Sequence, residues 1–133
     1  GKTHLSLAIA GEVIKKGYTV LYNSAQNIFN TLQKERFGKS DTNGAYEAMV
    51  LECDLLVIDD LGAEFSTQFT NAALYNIINT RINAGLPTII STNLSFVEIE
   101  NLYSPRISSR LLGEFSVLQF AGTDIRQLKG DNY

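Results

Sequence analysis

The run Leu55-Leu56-Val57-Ile58-Asp59-Asp60 constrains the fold of this chain more than any other stretch. Four consecutive apolar residues indicate a strand buried on both faces, which is typical of the parallel sheet of an α/β protein. The two carboxylates then fall at the carboxyl end of the strand, where open α/β sheets bind ligands. Because adjacent carboxylates are costly to bury without a shared cation or proton, a magnesium ion beside a phosphate chain would explain them.

The composition is that of one globular domain covering residues 1–133, with 44% hydrophobic and 19% charged residues. No apolar run approaches the roughly 18 residues that a membrane-spanning helix needs. A single cysteine, Cys53, favours a reducing, cytoplasmic location, and its position before the buried strand predicts a core residue. The net charge of −3 argues against broad nucleic-acid binding but leaves a local basic patch open.

Helical and extended patterns alternate along the chain, which predicts a parallel sheet covered on both faces. Strands are expected at residues 19–22, 55–60, 88–92 and 115–120. We expect residues 34–43 to form a polar loop and residues 122–133 a flexible tail. Helices are expected at 4–16, after Asn23 or Ser24, at 45–52 and 67–84, after a Ser95–Glu98 capping box, and from Ser104-Pro105 to Gly113.

The chain opens with Gly1-Lys2-Thr3, the last three positions of the phosphate-loop pattern G-x-x-x-x-G-K-[ST]. These residues begin an apolar helix, whose free N–H groups and dipole attract phosphate. Lys2 would reach the β- and γ-phosphates and the Thr3 hydroxyl would bind magnesium, whereas the alternative is a solvated first helical turn. Because the rest of the loop and the strand before it are missing, we expect this sequence to be part of a longer chain.

Four segments together resemble the AAA+ ATPases. They are Gly1-Lys2-Thr3, Leu55–Asp60 with Leu61-Gly62-Ala63-Glu64, Ser91-Thr92-Asn93, and Arg106–Leu111. The chain is most similar to helicase loaders of the DnaC and DnaI type and to the related IstB-type transposition ATPases. This resemblance implies an α/β fold, a three-layer αβα P-loop NTPase with a parallel sheet of order 5-1-4-3-2, its strand 1 missing here, and no helical lid domain. ATP and Mg²⁺ are the implied cofactors.

The resemblance also assigns roles around the nucleotide. Asp59 matches the carboxylate that holds magnesium together with Thr3, and the nucleotide-binding residues are Gly1, Lys2, Thr3, His4 and Asp59. Asp60 stands where many relatives carry the glutamate that polarises the attacking water, and Glu64 is a substitute base or a surface residue. Asn93 matches the sensor beside the γ-phosphate, with a turn-capping asparagine as the alternative.

Arg106 and Arg110 lie four residues apart and therefore share one face of a helix, while Ile107 and Leu111 face the core. By resemblance, Arg110 first and Arg106 second match the arginine finger that acts on ATP held by a neighbouring subunit. The alternative is an ordinary surface cation or a partner of a carboxylate. Arg126 lies loosely where a second sensor arginine would stand.

A basic cluster with one aromatic residue follows the second strand of the AAA+ order, in the zone where relatives bind single-stranded DNA. It consists of Lys34, Arg36, Phe37 and Lys39. Such a cluster can bind phosphates and stack a base, whereas the alternative is a solvated helix end.

The leading hypothesis is an ATP-dependent DNA replication factor that loads a hexameric replicative helicase on single-stranded DNA. It would hydrolyse ATP slowly at a subunit interface, be stimulated by partner or DNA, and assemble into an oligomer or a helical filament, without a membrane partner. Three alternatives stay open: a transposition accessory ATPase of the IstB type, a P-loop kinase that acts on a small molecule, and a non-catalytic scaffold.

Overall fold

The computed structural model describes residues 2–38, 44–63 and 66–116. The hypotheses about Gly1, Lys39, Glu64, Arg126, the strand beyond residue 116 and the tail at 122–133 lie outside those ranges. Within them the chain forms six helices and three strands, in the order α1 (Lys2–Lys15), β1 (Val20–Ser24), α2 (Ala25–Arg36), α3 (Ala45–Glu52), β2 (Leu55–Leu61), α4 (Gln68–Ala84), β3 (Thr88–Thr92), α5 (Phe96–Leu102) and α6 (Pro105–Glu114).

The three strands form one parallel sheet in the order β1-β2-β3. This order corresponds to strands 2-3-4 of the predicted 5-1-4-3-2 arrangement, so the predicted α/β class and parallel sheet are confirmed. The central strand β2 is paired on both sides, and Leu55, Leu56, Val57 and Ile58 are all buried. The continuous apolar run is therefore explained by burial from both faces of the sheet.

Helices pack on both the strands and one another to enclose the core. Helix α1 packs on all three strands, whereas α2, α3 and α4 pack on each other and α6 packs on α4 and α5. Cys53 is buried in this core, as predicted. The core cluster comprises Ala25, Ile28, Phe29, Leu32, Val50, Cys53, Leu56, Ile58, Leu61, Leu74, Ile77, Ile78, Ile99, Tyr103, Ile107 and Leu111.

Side-chain caps fix where several helices begin. The predicted Ser95–Glu98 capping box is present, because Ser95 Oγ accepts the Glu98 N–H at 3.2 Å and Glu98 Oε1 accepts the Ser95 N–H at 2.9 Å. Thr67 and Thr70 form a second capping box at the start of α4. Gly85 ends α4 with φ 71°, in the left-handed region that glycine adopts without steric cost.

The predicted loop at 34–43 is wrong for its first three residues, because α2 continues through Arg36. Lys34, Glu35 and Arg36 are polar but are good helix formers, so the absence of apolar residues there does not indicate a loop. The Glu35 carboxylate then caps the next helix by accepting the N–H groups of Tyr46 at 3.0 Å and Glu47 at 2.9 Å.

Other boundaries also differ from the prediction. Strand β1 covers Val20–Ser24 rather than residues 19–22, and α6 passes through Gly113 to Glu114. Phe115, expected to open a strand, instead caps α6, and its N–H donates to the Leu111 carbonyl. Gly113 does not terminate α6, because its backbone is not in the left-handed region that a terminating glycine adopts.

The pairing of β2 with β3 contains a β-bulge at the two carboxylates. Ile58 pairs with Ile90 and Leu61 pairs with Thr92, so Asp59 and Asp60 together oppose a single residue. Asp60 has φ 58° and is the one non-glycine residue with positive φ in the part of the chain that the structure describes. Strand β2 thus continues beyond the carboxylates to Leu61 instead of ending at them.

In the described ranges β3 has β2 as its only strand neighbour. A groove of about 560 Å³ runs along its other edge, between α1, α5 and α6. The groove is mainly apolar, with Leu5, Ile9, Ile90, Phe96 and Leu111 in its wall. The predicted strand order places strand 1 along this edge, next to the strand called β3 here.

Candidate functional site

The carboxyl end of β2 lies beside the first turn of α1. Thr3 Oγ1 lies 3.5 Å from both Oδ1 and Oδ2 of Asp59. A separation of 3.5 Å is at the outer limit of hydrogen bonding, so the hydroxyl is close to the carboxylate without being tightly bound to it. The structure therefore brings together two side chains that are 56 residues apart in the sequence and were both predicted to hold magnesium.

Ser91 on β3 bonds both aspartates, the Asp59 carboxylate and the Asp60 backbone. Its Oγ donates a hydrogen bond to Asp59 Oδ1 at 2.5 Å and accepts the backbone N–H of Asp60 at 3.0 Å. Ser91 is buried, Asp59 is half-buried and Asp60 is exposed. The serine appears in the Ser91-Thr92-Asn93 segment, but sequence reasoning gave it no role because the bulge that brings it to both aspartates cannot be deduced from the pattern.

The hydroxyl of Tyr22 on β1 is buried beside this pair. Among the described residues it has no hydrogen-bond partner, although buried hydroxyls are normally paired. Burial raises the pKa of Tyr22, the negative charge of Asp59 adds to that rise, and the polar side chain of Thr3 opposes it. The Tyr22 hydroxyl is thus a buried polar group next to Thr3 and Asp59, without a hydrogen bond of normal geometry to either.

These residues fit a magnesium ion that is held mainly by substrate oxygens. Within residues 2–38, 44–63 and 66–116, no three His, Cys, Asp or Glu side chains cluster closely enough to hold a metal by themselves. Magnesium beside nucleotides is usually bound by one or two protein oxygens, phosphates and waters. Thr3 and Asp59 supply such oxygens, and the Tyr22 hydroxyl lies beside them as a further polar group.

The other predicted nucleotide residues lie at the same edge. Lys2 begins α1 and His4 follows Thr3 in its first turn, where unpaired helix N–H groups favour an anion. Asn93 directly follows β3 and is exposed. The turn that contains Asn93 is held by Thr92, whose Oγ1 donates to the Leu61 carbonyl at 2.6 Å and accepts the Leu94 N–H at 3.0 Å.

The two predicted finger arginines contact α4. The Arg106 guanidinium lies 4.2 Å from the ring centre of Tyr75, and Arg110 donates from Nη2 to Asn79 Oδ1. Arg110 also lies 3.9 Å from Glu114. Because Tyr75 and Asn79 are four residues apart, as are the arginines, the two pairs are stacked one helical turn apart. Neither α4 partner was predicted.

The predicted DNA-binding residues meet an aromatic partner that the sequence did not reveal. The ring of Phe37 lies 6.4 Å from that of Phe69, and the Arg36 guanidinium lies 5.7 Å from the Phe69 ring centre. Phe37 is 61% exposed and Lys34 is also exposed. Phe69 lies within the helix predicted at 67–84, and no local pattern distinguishes it from the other apolar residues of that helix.

A comparison with known protein families identifies the chain. The sequence profile of the IstB-like ATP-binding proteins matches residues 1–128. The chain belongs to that family. Together with the parallel sheet, the match and the structural neighbours described next show a DnaC-type AAA+ core, as the sequence predicted.

Individual relatives give the same result. The chain is 30% identical over 115 residues to the replicative helicase loader DnaC of Escherichia coli (strain K12), covering 84% of this chain and 45% of DnaC. The crystal structure of the DnaC helicase loader superposes with a TM-score of 0.75 at 26% identity, covering 87% of this chain and 70% of that one. The chain thus spans about half the length of the curated relatives that it matches.

A second group of structural neighbours comes from replication initiators. DnaA bound to AMPPCP and single-stranded DNA superposes with a TM-score of 0.75 at 28% identity, covering 86% of this chain and 35% of that one. These similarities connect the IstB-like ATP-binding core to replication proteins. Among the described helices, none is both long and apolar enough to cross a bilayer.

Proposed function

We propose that this IstB-like core belongs to a replication factor that binds and hydrolyses ATP between subunits and loads a replicative helicase on single-stranded DNA. The observation that carries the proposal is the contact of Thr3 with Asp59 at the carboxyl edge of the sheet. This edge is where α/β proteins bind ligands, and the first turn of α1 attracts phosphate there. The similarity to DnaC supports the choice of helicase loading.

In this proposal the β- and γ-phosphates lie against the first turn of α1, near Gly1, Lys2 and His4. Thr3 and Asp59 hold Mg²⁺, which when bound supplies positive charge against the phosphate oxygens. Asp60 is exposed beside Asp59, where its carboxylate can orient the attacking water and take up its proton. Asn93 and Glu64 complete the proposed set, Asn93 as a polar contact to the γ-phosphate and Glu64 as a second base.

We assign Arg110, and after it Arg106, to the ATP of a neighbouring subunit. The recorded partners of both arginines lie on α4 and within α6, and none is Thr3 or Asp59. The side chain of Arg110 remains about one-third exposed, at 34%, so it is accessible to a second copy. An arginine supplied from another subunit stabilises charge in the transition state and makes hydrolysis depend on assembly.

Single-stranded DNA would bind at the end of α2. There Phe37 offers an exposed ring, Phe69 supports it, and Arg36 and Lys34 add positive charge. Stacking of a base on an aromatic ring does not require a particular base, and the cations bind the backbone. This arrangement favours sequence-independent binding, with Lys39 as a further proposed contact.

The test is ATP turnover by the full-length protein as a function of protein concentration, with and without single-stranded DNA. We expect specific activity to rise with concentration and with DNA, and Arg110→Ala to reduce it by roughly 10³-fold or more. The exposed Arg36→Ala is the matched control, which should lose stimulation by DNA while retaining basal turnover. Rapid turnover that is independent of concentration and of Arg110 would refute a shared site.

A transposition accessory ATPase is the second candidate, and the match to the IstB-like profile favours it. Both candidates use the same ATP site, so turnover cannot separate them. Co-sedimentation of the full-length protein with a purified hexameric helicase would separate them. ATP-dependent binding to the helicase supports loading, whereas binding to a transposase and not to the helicase supports the second candidate.

A further inference from the structure

We infer that Ser91 is the positioning residue that gives the neighbouring carboxylates Asp59 and Asp60 different tasks. The inference rests on the proposed function, because it concerns the same magnesium and ATP site. It begins from the bulge, where two residues of β2 oppose the single residue Ser91 of β3. A bulge leaves one residue without its ladder partner and re-aims the side chains around it.

The Ser91 hydroxyl repairs the interrupted ladder. Its oxygen accepts the N–H of Asp60 at 3.0 Å, a backbone group that regular pairing would have bonded to a carbonyl. This bond holds Asp60 at φ 58°, a conformation that non-glycine residues rarely adopt. Asp60 is exposed at the carboxyl end of β2.

The same hydroxyl orients Asp59. It donates its only proton to Oδ1 at 2.5 Å, which fixes the carboxylate and occupies one lone pair. The Asp59 carboxylate keeps its other lone pairs for the loosely held Thr3 hydroxyl and for the metal. Ser91 thus accepts from the backbone of Asp60 and donates to the carboxylate of Asp59. Alanine can do neither, and cysteine does both only weakly.

The prediction is that Ser91 controls the part of nucleotide affinity that depends on magnesium. The measurement is the affinity of the full-length protein for a fluorescent ATP analogue, first in EDTA and then in saturating Mg²⁺. In Ser91→Ala we expect the gain in affinity conferred by Mg²⁺ to fall by roughly tenfold or more, while affinity in EDTA stays unchanged. Ser91→Thr, which keeps the hydroxyl, should retain the gain.

Ser95→Ala is the matched control. It also removes a hydroxyl that accepts a backbone N–H, that of Glu98, but at a helix cap away from the carboxylates. It should lower stability without changing the gain conferred by Mg²⁺. If Ser91→Ala does not fold, Ser91→Cys, which nearly keeps the volume but bonds weakly, should show the same loss of that gain.

The outcomes separate this inference from the function on which it rests. A wild-type protein that binds the analogue more tightly with Mg²⁺, together with an unchanged gain in both Ser91→Ala and Ser91→Cys, would overturn the role of Ser91 alone. A wild-type protein that binds no nucleotide would overturn the proposed function and this inference with it. Faster hydrogen exchange of the Asp60 amide in Ser91→Ala, measured without nucleotide, would support the hydrogen bond that holds the bulge.

Discussion

Arg81 is the largest fully buried side chain in the described part of the chain. Its guanidinium donates to the carbonyls of Val50 at 3.1 Å, Cys53 at 2.8 Å and Pro87 at 2.8 Å, and to Thr88 Oγ1 at 2.8 Å. Burial lowers the pKa of Arg81 and the nearby Cys53 opposes that shift. Because a buried charge is costly without partners, these bonds are what allow the arginine to remain in the core.

We predict that Arg81→Met lowers the free energy of unfolding by at least about 2 kcal/mol, since each buried carbonyl left without a donor costs about 1–3 kcal/mol. The methionine fills much of the volume, but the carbonyls of Val50 and Cys53 lose the donors that Arg81 supplies, and the Pro87 carbonyl keeps only the N–H of Leu56. Urea denaturation of the full-length protein measures the loss. The control is Arg106→Met, an exposed arginine over Tyr75, which should cost about 1 kcal/mol or less. Equal losses in the two variants would contradict this account.

Cys53 is a buried thiol of low reactivity, also because of its position in the core. Burial raises the pKa of its thiol, and the positive charge of Arg81 opposes that rise without exposing the sulfur. The thiol lies 3.3 Å from the Leu55 carbonyl, to which it donates. A buried thiol that is kept protonated is a poor nucleophile, which agrees with its predicted role as a core residue.

At the scale of elements, the amino ends and the carboxyl ends of the parallel strands have different roles. At the amino ends of the strands, Arg81 joins α4 to β3 and to the residues before β2. There Asp54 also joins β1 to β2, since its carboxylate accepts the N–H of Thr19 at 2.8 Å and the Thr19 hydroxyl at 3.0 Å. The candidate site lies at the carboxyl ends of the strands. Strong structural bonds at the amino ends thus leave the carboxyl ends available for ligands.

The Thr19–Asp54 pair predicts a specific acid sensitivity. The hydrogen bonds that the Asp54 carboxylate accepts from Thr19 are the main cause of the lowered pKa of Asp54. A lowered pKa in the folded state gives stability that is present above the unfolded value, about 4, and is lost as pH falls through the folded value. The stability advantage of the wild type over Asp54→Asn, measured by urea midpoints, should therefore shrink as pH falls below about 4. An advantage that is constant with pH would show that the carboxylate charge is not involved.

Much of the fold follows from patterns that act locally. The apolar run Leu55–Ile58, the cap at Ser95 and the end of α4 at residue 84 each depend on neighbours in the sequence, and each was correctly predicted. The exception at 34–36 arose because helix propensity does not require apolar residues. Periodicity alone could not resolve that boundary.

The candidate site is less predictable because its contacts are tertiary. Thr3 and Asp59 could be paired in advance, since a helix start and a strand end meet at one edge of a parallel sheet. The bulge at Asp59-Asp60, the Tyr22 hydroxyl and the contacts of α4 with the arginines depend on register and side-chain geometry. No spacing in the sequence specifies these features.

At the scale of the whole molecule, the hydrogen bonds and ion pairs of the described residues do not join the proposed finger to Thr3 or Asp59. Thr3 and Asp59 belong to α1 and β2, whereas Arg110 is held by Asn79 of α4. One face would bind ATP and a different face would act on the ATP of the next copy. Such a head-to-tail contact generates rings when it closes and filaments when it does not.

A subunit-mixing experiment follows from that separation. Asp59→Ala should abolish turnover by removing the magnesium ligand while leaving the finger intact, and Arg110→Ala should abolish turnover by removing the finger while leaving the magnesium ligand intact. Mixed in equal amounts, the two inactive full-length proteins should recover roughly a quarter of wild-type turnover, since about one in four random head-to-tail contacts joins an intact site to an intact arginine. Each variant alone serves as the control. A mixture as inactive as its components would place both groups in one subunit's site.

Because of the bulge in β2, selection for stability and selection for ATP turnover would act in opposite directions on Asp60. Deleting Asp60 would let Asp59 oppose Ser91 alone, keep Leu61 opposite Thr92, and remove the residue at φ 58°. The shortened strand would pair regularly and lose a strained position, while the exposed carboxylate proposed to orient water would be gone. A directed-evolution campaign that ranks variants only by melting temperature would therefore enrich well-folded descendants that have lost ATP turnover.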